Sequence, residues 1–268
     1  MKVIGCIGCG NMGGGVLRGL VPHKEFTLLG HDHTRAKVEG LDPENHRVVF
    51  ADSPLDVARR ADVIILAVKP YQMDAMLEEI RPALDESKVV LSLAAAFSQE
   101  KLRRGVDGRC AVARCMPNLP VIVGKGVFAL CLDDPALGEE RARALFDMFH
   151  LMGMAVIIPE AQFPAFSSLV GCGPAFALLF MEGLLNAGIT MGFKAPVARE
   201  LIAAMMEGTA RLALESGESF ADLRVKVCSP SGTTIRGVNH MERCAVPGHV
   251  TDAVLEALRR DLEMASGK

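Results

Sequence analysis

No run of lysine and arginine interrupts this chain: 29 Lys and Arg are dispersed among 32 Asp and Glu over 268 residues, for a net charge of −3. Without a basic block there is no electrostatic footprint for a nucleic acid or an anionic membrane, and neither is expected as a partner. A metal is not expected either. Cys6 and Cys9 have Cys-x-x-Cys spacing, but no second pair follows at zinc-ligand spacing. Most of the eight cysteines sit in apolar runs, where a thiol behaves as a small hydrophobe. The start lacks a secretory pattern, because Gly5, Gly8, Gly10 and Gly13 to Gly15 break the apolar stretch that such a signal needs. Reduced thiols and a cytoplasmic location follow as expectations. With 50% hydrophobic and 23% charged residues the composition excludes a disordered chain, and the length suits one large domain or two ordinary ones.

What is present, first of all, is glycine at one spacing. The apolar run Lys2 to Ile7 leads into Gly8-Cys9-Gly10-Asn11-Met12-Gly13. Gly8 lets a strand turn sharply, Gly10 lets backbone approach phosphate oxygens, and Gly13 allows a helix to pack closely on the strand. The context agrees. Val3 to Ile7 reads as a buried parallel strand, and Met12, Val16, Leu17 and Leu20 give the following segment a helical apolar face. Such a turn places a dinucleotide pyrophosphate on a helix N-terminus, where N–H groups and the dipole favour an anion. The alternative is a structural turn with no ligand.

Further strand-like runs lie at Phe26 to Gly30, Arg47 to Phe50, Val63 to Val68, Val89 to Leu93, Cys110 to Arg114, Gly126 to Cys131 and Ala155 to Ile158. Helical segments separate several of them, clearest at Pro70 to Leu84 and Pro135 to Met152. The alternation implies an α/β domain, 1–159, with a mostly parallel, doubly wound sheet covered by helices on both faces. From 160 to 268 the β-rich runs vanish and Ala-, Leu- and Met-rich segments take over, so the second domain is expected to be all helical. Cys172 to Phe193 is apolar enough to raise the question of a membrane span, yet it contains Glu182 and Asn186. A buried helix is the expected state, and one chain of this size cannot cover it. A second subunit should, which makes the chain at least a dimer.

Two shorter stretches bear on ligands. Asp32 stands at the end of the second strand, where an acid bonds the ribose hydroxyls of NAD. The next residues, His33, Thr34 and Arg35, can instead hold a 2′-phosphate, so NADH and NADPH both stay open. Near the far end, Val227 to Gly237 contains Ser229-Pro230-Ser231-Gly232-Thr233-Thr234, a hydroxyl-rich turn that leads into a helix. It can hold a carboxylate on backbone N–H groups, or it can be an ordinary capped helix start. His240 reads as a general acid or as a surface histidine.

Together with Ala67-Val68-Lys69-Pro70, Arg114-Cys115-Met116-Pro117-Asn118-Leu119-Pro120 and Gly171 to Phe176, these motifs resemble the pyrroline-5-carboxylate reductase family, in that family's order. The resemblance implies a Rossmann-type domain followed by a helical dimerisation and substrate-binding domain. It also implies hydride transfer from NADPH or NADH to the imine carbon of 1-pyrroline-5-carboxylate, which yields proline. By motif match, Gly8, Gly10, Asn11, Met12 and Gly13 should meet the pyrophosphate. Ala67, Val68, Lys69 and Pro70 should lie along the ribose and Asn118 nearer the nicotinamide, with Ala94 and Ala95 completing the crevice. Ser229, Gly232 and Thr233 should hold the substrate carboxylate, while the Thr234 hydroxyl bonds the ring nitrogen. The chain departs from the family at several of these places. Ser231 replaces a usual glycine, Leu119 a threonine, Cys172 a serine and Phe176 a tyrosine, and Asp32-His33 stands where Asn-Arg is common. If position 231 needs φ > 0, serine there costs about 1 kcal/mol or more.

Three rivals are weighed against it. A β-hydroxyacid dehydrogenase lacks its acid–base lysine here, since Asn186 is followed by Ala187, Gly188 and Ile189. A reductase of a different cyclic imine and a catalytically inactive NAD(P)-binding protein are the other two.

Overall fold

A computed structural model describes residues 1–265 of the chain. Eight apolar runs become the strands of one sheet: β1 (Val3–Ile7), β2 (Thr27–His31), β3 (Val48–Phe50), β4 (Val63–Leu66), β5 (Val89–Ser92), β6 (Ala111–Met116), β7 (Gly126–Cys131) and β8 (Gly153–Ile157). Their order is β3-β2-β1-β4-β5-β6-β7-β8. All pairs are parallel except β6 with β7, where Arg114 to Met116 run antiparallel to Ala129 to Cys131. Only residues 117–125 lie between those two strands, too few for the crossover that a parallel pair needs, so the chain doubles back.

Strand periodicity divides the core. Val63 and Ile65 point to one face with Val16, Leu17, Leu20 and Phe149, whereas Ile64 and Leu66 point to the other with Val57, Met73, Leu77 and Leu102. The first face is covered by α1 (Asn11–Leu20) and α6 (Gly138–His150), the second by α3 (Pro54–Arg60), α4 (Met73–Ile80) and α5 (Gln99–Gly105); α2 (Arg35–Glu39) lies between β2 and β3. Every residue of β4, β5 and β6 is therefore buried, and each fully buried Leu or Ile contributes about 1.5–3 kcal/mol. The short helices carry their own start signals. Ser53 accepts a hydrogen bond from Asp56 N–H ahead of Pro54, and Ser98 accepts one from Lys101 N–H.

β1 is flanked by β2 on one side and β4 on the other, so the chain leaves it in both directions and a crevice opens at the carboxyl ends of β1 and β4. Gly13 sets how closely α1 approaches that point. A Cβ on it would collide with the carbonyl oxygen of Gly8 and lie 2.7 Å from both Ala67 Cβ and Cys6 Sγ.

By contacts the chain divides into two compact units, one of Met1–Cys172 with the residues from Ala257 onward, the other of Gly173–Glu256. The composition changes near 160, but α7 (Phe163–Phe166) and the turn after it still pack on the sheet unit through buried Phe163 and Ser168. The helical unit holds α8 (Gly173–Thr190), α9 (Ala195–Ser216), α10 (Phe220–Val227), α11 (Thr233–Arg243) and most of α12 (Val246–Ala265). Gly188 lets α8 and α9 meet, with Ala198 Cβ 3.2 Å from where its own Cβ would be.

The expected burial of the apolar helix is not met within one chain. The helical run Glu160–Thr190 is long and apolar enough to cross a membrane by length and composition, and only 6% of its most apolar stretch is buried. Leu178, Leu179, Phe180, Leu201 and Met205 are all exposed. An apolar face of this extent on two adjacent helices is the mark of a subunit contact.

Two expectations follow from the packing. Gly13→Ala should lower the urea midpoint by the equivalent of about 2 kcal/mol or more, because the new methyl meets backbone that cannot rotate away. Leu179→Glu should shift the molecular mass measured by light scattering to a smaller species without lowering helix content, since the side chain is exposed within its own chain.

Candidate functional site

The glycine turn is built by backbone demands. Gly8 has φ +93°, a left-handed value that an L side chain rarely adopts, and its N–H donates to the carbonyl of His31 at 2.8 Å. Gly10 is the N-cap of α1, extended, with no side chain capping the helix and no acid in its first turn. Its own Cβ position is open space. The first N–H groups of α1 are therefore free of side-chain partners and can take an external anion. A pyrophosphate fits this arrangement: no acid stands in the first turn of α1 and no side chain caps it.

Asp32 is tied to that turn. Its Oδ2 accepts from Cys9 N–H at 3.0 Å, and its Oδ1 accepts from Thr34 N–H at 3.0 Å and pairs with Lys37 Nζ at 3.2 Å. Burial alone would push the carboxyl up, but the bonds from Thr34, Lys37 and Cys9 outweigh it and hold the group below the usual carboxylate range. Beyond it, His33 sits edge-on to His31 with centroids 6.2 Å apart. The Thr34 side chain makes no cap bond to α2. Arg35 Nε pairs with Glu39 Oε1 at 2.7 Å, and the guanidinium lies over the Phe50 ring.

Ala67, Val68, Lys69 and Pro70 follow β4. Ala67 N–H donates to the Ile7 carbonyl at 2.9 Å, and a Cβ on Gly8 would lie 2.7 Å from the Ala67 oxygen, so this run forms the wall opposite the glycine turn. Lys69 N–H donates to Gln72 Oε1, and Pro70 opens the short turn of 3₁₀ helix Pro70–Gln72 ahead of α4. Past β5, Ala94 N–H donates to Ser92 Oγ, and Ala95 lines a cavity of about 690 Å³ with Pro70, Phe97 and Lys101. Asn118 is buried and braces the protein itself: Oδ1 accepts from Val127 N–H at 2.8 Å and Nδ2 donates to the Val170 carbonyl at 3.3 Å.

One residue to which composition and spacing assign no role is Arg114. It lies buried in β6, pairs with Glu160 at 2.7 Å, and stacks over Phe163 with 4.6 Å to the ring centroid. It lines a second cavity, of about 430 Å³, beside Ala96 and Lys101. Its signal in the sequence is a charge inside an otherwise apolar strand.

In the helical unit, Gly232 N–H donates to the Ser229 carbonyl at 3.0 Å and Gly232 is the extended N-cap of α11. A Cβ at 232 would collide with Ser229 Oγ and lie 3.1 Å from the Ser229 carbonyl oxygen, so a larger residue there would displace the Ser229 side chain. Thr233 and Thr234 open the helix and are exposed, with no acid in the first turn. Ser231 has φ +58°, so the position does demand the left-handed region, and serine occupies it at a cost of about 1 kcal/mol. His240 Nε2 lies 3.8 Å from Cys244 Sγ at the other end of the helix.

Comparison with known proteins agrees with both halves. Residues 160–264 match the family model described as pyrroline-5-carboxylate reductase dimerisation, and residues 3–96 match NADP oxidoreductase coenzyme F420-dependent. Pyrroline-5-carboxylate reductase of Escherichia coli (strain K12) is 30% identical over 267 residues, covering 98% of each chain. Pyrroline-5-carboxylate reductase 3 of Xenopus laevis is 29% identical, covering 97% of this chain and 95% of its own. The crystal structure of Plasmodium falciparum pyrroline carboxylate reductase with NADP bound has a TM-score of 0.88 at 25% identity, covering 98% of both chains. That dimerisation match accounts for the exposed apolar face as a contact between copies, so the protein is a homo-oligomer. With one relative 30% identical over nearly its whole length, the chain belongs to the pyrroline-5-carboxylate reductase family.

Proposed function

We propose that this chain reduces 1-pyrroline-5-carboxylate to L-proline with NADPH or NADH, the closing step of proline biosynthesis. The observation that carries the reading is that each of the two units contains a bare, glycine-opened helix N-terminus, α1 in one and α11 in the other, on a chain 30% identical from end to end to one such reductase. One suits a pyrophosphate and the other a carboxylate.

When bound, the reduced nicotinamide supplies a hydride to the carbon of the C=N bond. The N–H groups that follow Gly10, with Gly8 and Gly13 shaping the turn, hold the pyrophosphate against α1. Asn11 and Met12 stand in the same first turn, and Ala67 to Pro70 would hold the ribose side of the nucleotide. Ala94 and Ala95 border the crevice beside them. Asn118, with its amide bonded to Val127 and Val170, acts by holding the loop after β6 in place. At α11, Ser229, Gly232 and Thr233 hold the substrate carboxylate, chiefly through backbone N–H groups. The Thr234 hydroxyl donates a hydrogen bond to the ring nitrogen, along which the proton that completes reduction passes to nitrogen as the hydroxyl takes one from solvent water. No strong acid or base is required, and orientation supplies most of the rate.

The assembly is read as a homodimer through α8 and α9. The eight cysteines are free thiols, five of them buried, which suits a reducing cytoplasm. A second reading, reduction of a different cyclic imine, draws support from Ser231, whose side chain adds a Cβ and a hydroxyl to the substrate turn.

The test is oxidation of NADH or NADPH by pyrroline-5-carboxylate, followed by nicotinamide absorbance. No oxidation with either cofactor overturns the reading. Thr234→Ala should lower kcat by about 10²-fold with a smaller change in KM, and Thr234→Ser should retain most of the rate. Full activity in the alanine variant removes the role given to that hydroxyl. Ser231→Gly should raise the unfolding midpoint by the equivalent of about 1 kcal/mol. If it also moves KM from one cyclic imine to another, Ser231 sets substrate choice.

A further inference from the structure

The loop after β2 decides between two cofactors that differ only at the adenosine ribose, and its charges are unusually well balanced. The Asp32 side chain is only 10% exposed, and its bond to Cys9 N–H pins it beside the turn expected to meet the pyrophosphate. A carboxylate offers about four acceptor sites. Cys9 N–H, Thr34 N–H and Lys37 Nζ occupy three of these, which leaves room for one more donor. A ribose 2′-hydroxyl is such a donor. A 2′-phosphate has no proton to give at neutral pH and brings about two negative charges against the carboxylate.

The neighbouring cations do not redress this. Lys37 is paired with Asp32, and Arg35 is paired with Glu39 at 2.7 Å and laid over Phe50. Two acids thus balance two bases within α2 and the residues before it. His33 contributes an imidazole, not a permanent cation. A 2′-phosphate would meet a loop of no net positive charge, and the nearest fixed charge would be the carboxylate.

We propose that this chain prefers NADH to NADPH, and that Asp32 sets the preference by accepting the adenosine ribose 2′-hydroxyl and opposing a 2′-phosphate. The inference rests on the nicotinamide-dependent reading of the site and adds a choice that this reading leaves open. It also gives Asp32 two tasks, since the same carboxylate anchors the glycine turn.

Equilibrium binding of NADH and of NADPH, followed by nucleotide fluorescence at fixed ionic strength, tests it without recourse to turnover. The whole protein should bind NADH about tenfold or more tightly than NADPH. Asp32→Asn keeps an oxygen for Cys9 N–H but loses the charge, and should reduce that ratio severalfold or invert it. Glu39→Gln releases Arg35 on an exposed surface and should tighten NADPH severalfold, which provides the answer if the Asp32→Asn variant does not fold. NADPH binding as tightly as NADH in the unaltered chain overturns the proposal, as does an unchanged ratio in a folded Asp32→Asn variant. Failure of both nucleotides to bind overturns the nicotinamide reading itself.

Discussion

The approach of α1 to β1 is the contact on which the sheet unit and its crevice depend. There is no space for a side chain at Gly13, where a Cβ would strike the Gly8 carbonyl and crowd Ala67 and Cys6. That absence brings the positive end of a helix dipole down onto the point where the chain leaves β1 toward β2 on one side and toward β4 on the other. Gly30 repeats the device one strand away, where a Cβ would lie 2.9 Å from Val38 and 3.1 Å from Cys9 Sγ. β2 therefore closes against the same turn, and Asp32 arrives within reach of Cys9 N–H. The shape of the crevice is in this sense a consequence of two missing side chains.

Much of this is legible in the sequence because it rests on local demands. A left-handed φ at Gly8, a close helix at Gly13 and strands buried on both faces all have residue signatures, so the run Val63 to Val68 reads as a strand without any tertiary information, two residues longer than β4 itself. The turn at Ser229 to Thr234 is legible for the same reason, and the φ of Ser231 agrees with the demand inferred for that position. What long-range contact decides is not legible. Arg114 and Glu160 are 46 positions apart, and Asn118 reaches Val127 and Val170 with one amide. The direction of β7 is hidden too, because its composition suits either direction and only the short connection after β6 selects one. The short helices α3 and α5 escape periodicity, since two turns offer too few apolar positions to establish it.

The apolar helix α8 illustrates a different limit. Its length and apolar composition suit a membrane span, and only Glu182 and Asn186 turn the reading toward a buried helix, without saying whether its own chain or another covers it. The fold removes the core option, because α8 packs on α9 at Gly188 and Ala198 and leaves most of its apolar surface outside the chain. The match of residues 160–264 to a dimerisation family agrees with a second copy covering such a surface. Hydrophobicity thus states that a face must be covered, and only architecture states by what.

The helix starts of the two units differ in how their first N–H groups are satisfied. α3, α5 and α10 each begin on a serine whose side chain accepts from a first-turn N–H, and each carries an acid in that turn. Those ends are satisfied internally, at about 1 kcal/mol apiece. α1 and α11 begin on Gly10 and Gly232 with neither device, as α2 and α9 do from Thr34 and Lys194, but only the first two open on glycine. Leaving a helix end bare forgoes that stabilisation, and adding a carboxylate there would restore it while repelling any anionic ligand. An N-terminus kept free of acids and caps has dipoles already oriented, so binding an anion needs no reorganisation of side chains. Ser231 belongs to the same logic: a strained residue beside a bare helix end is tolerated where geometry matters more than local stability.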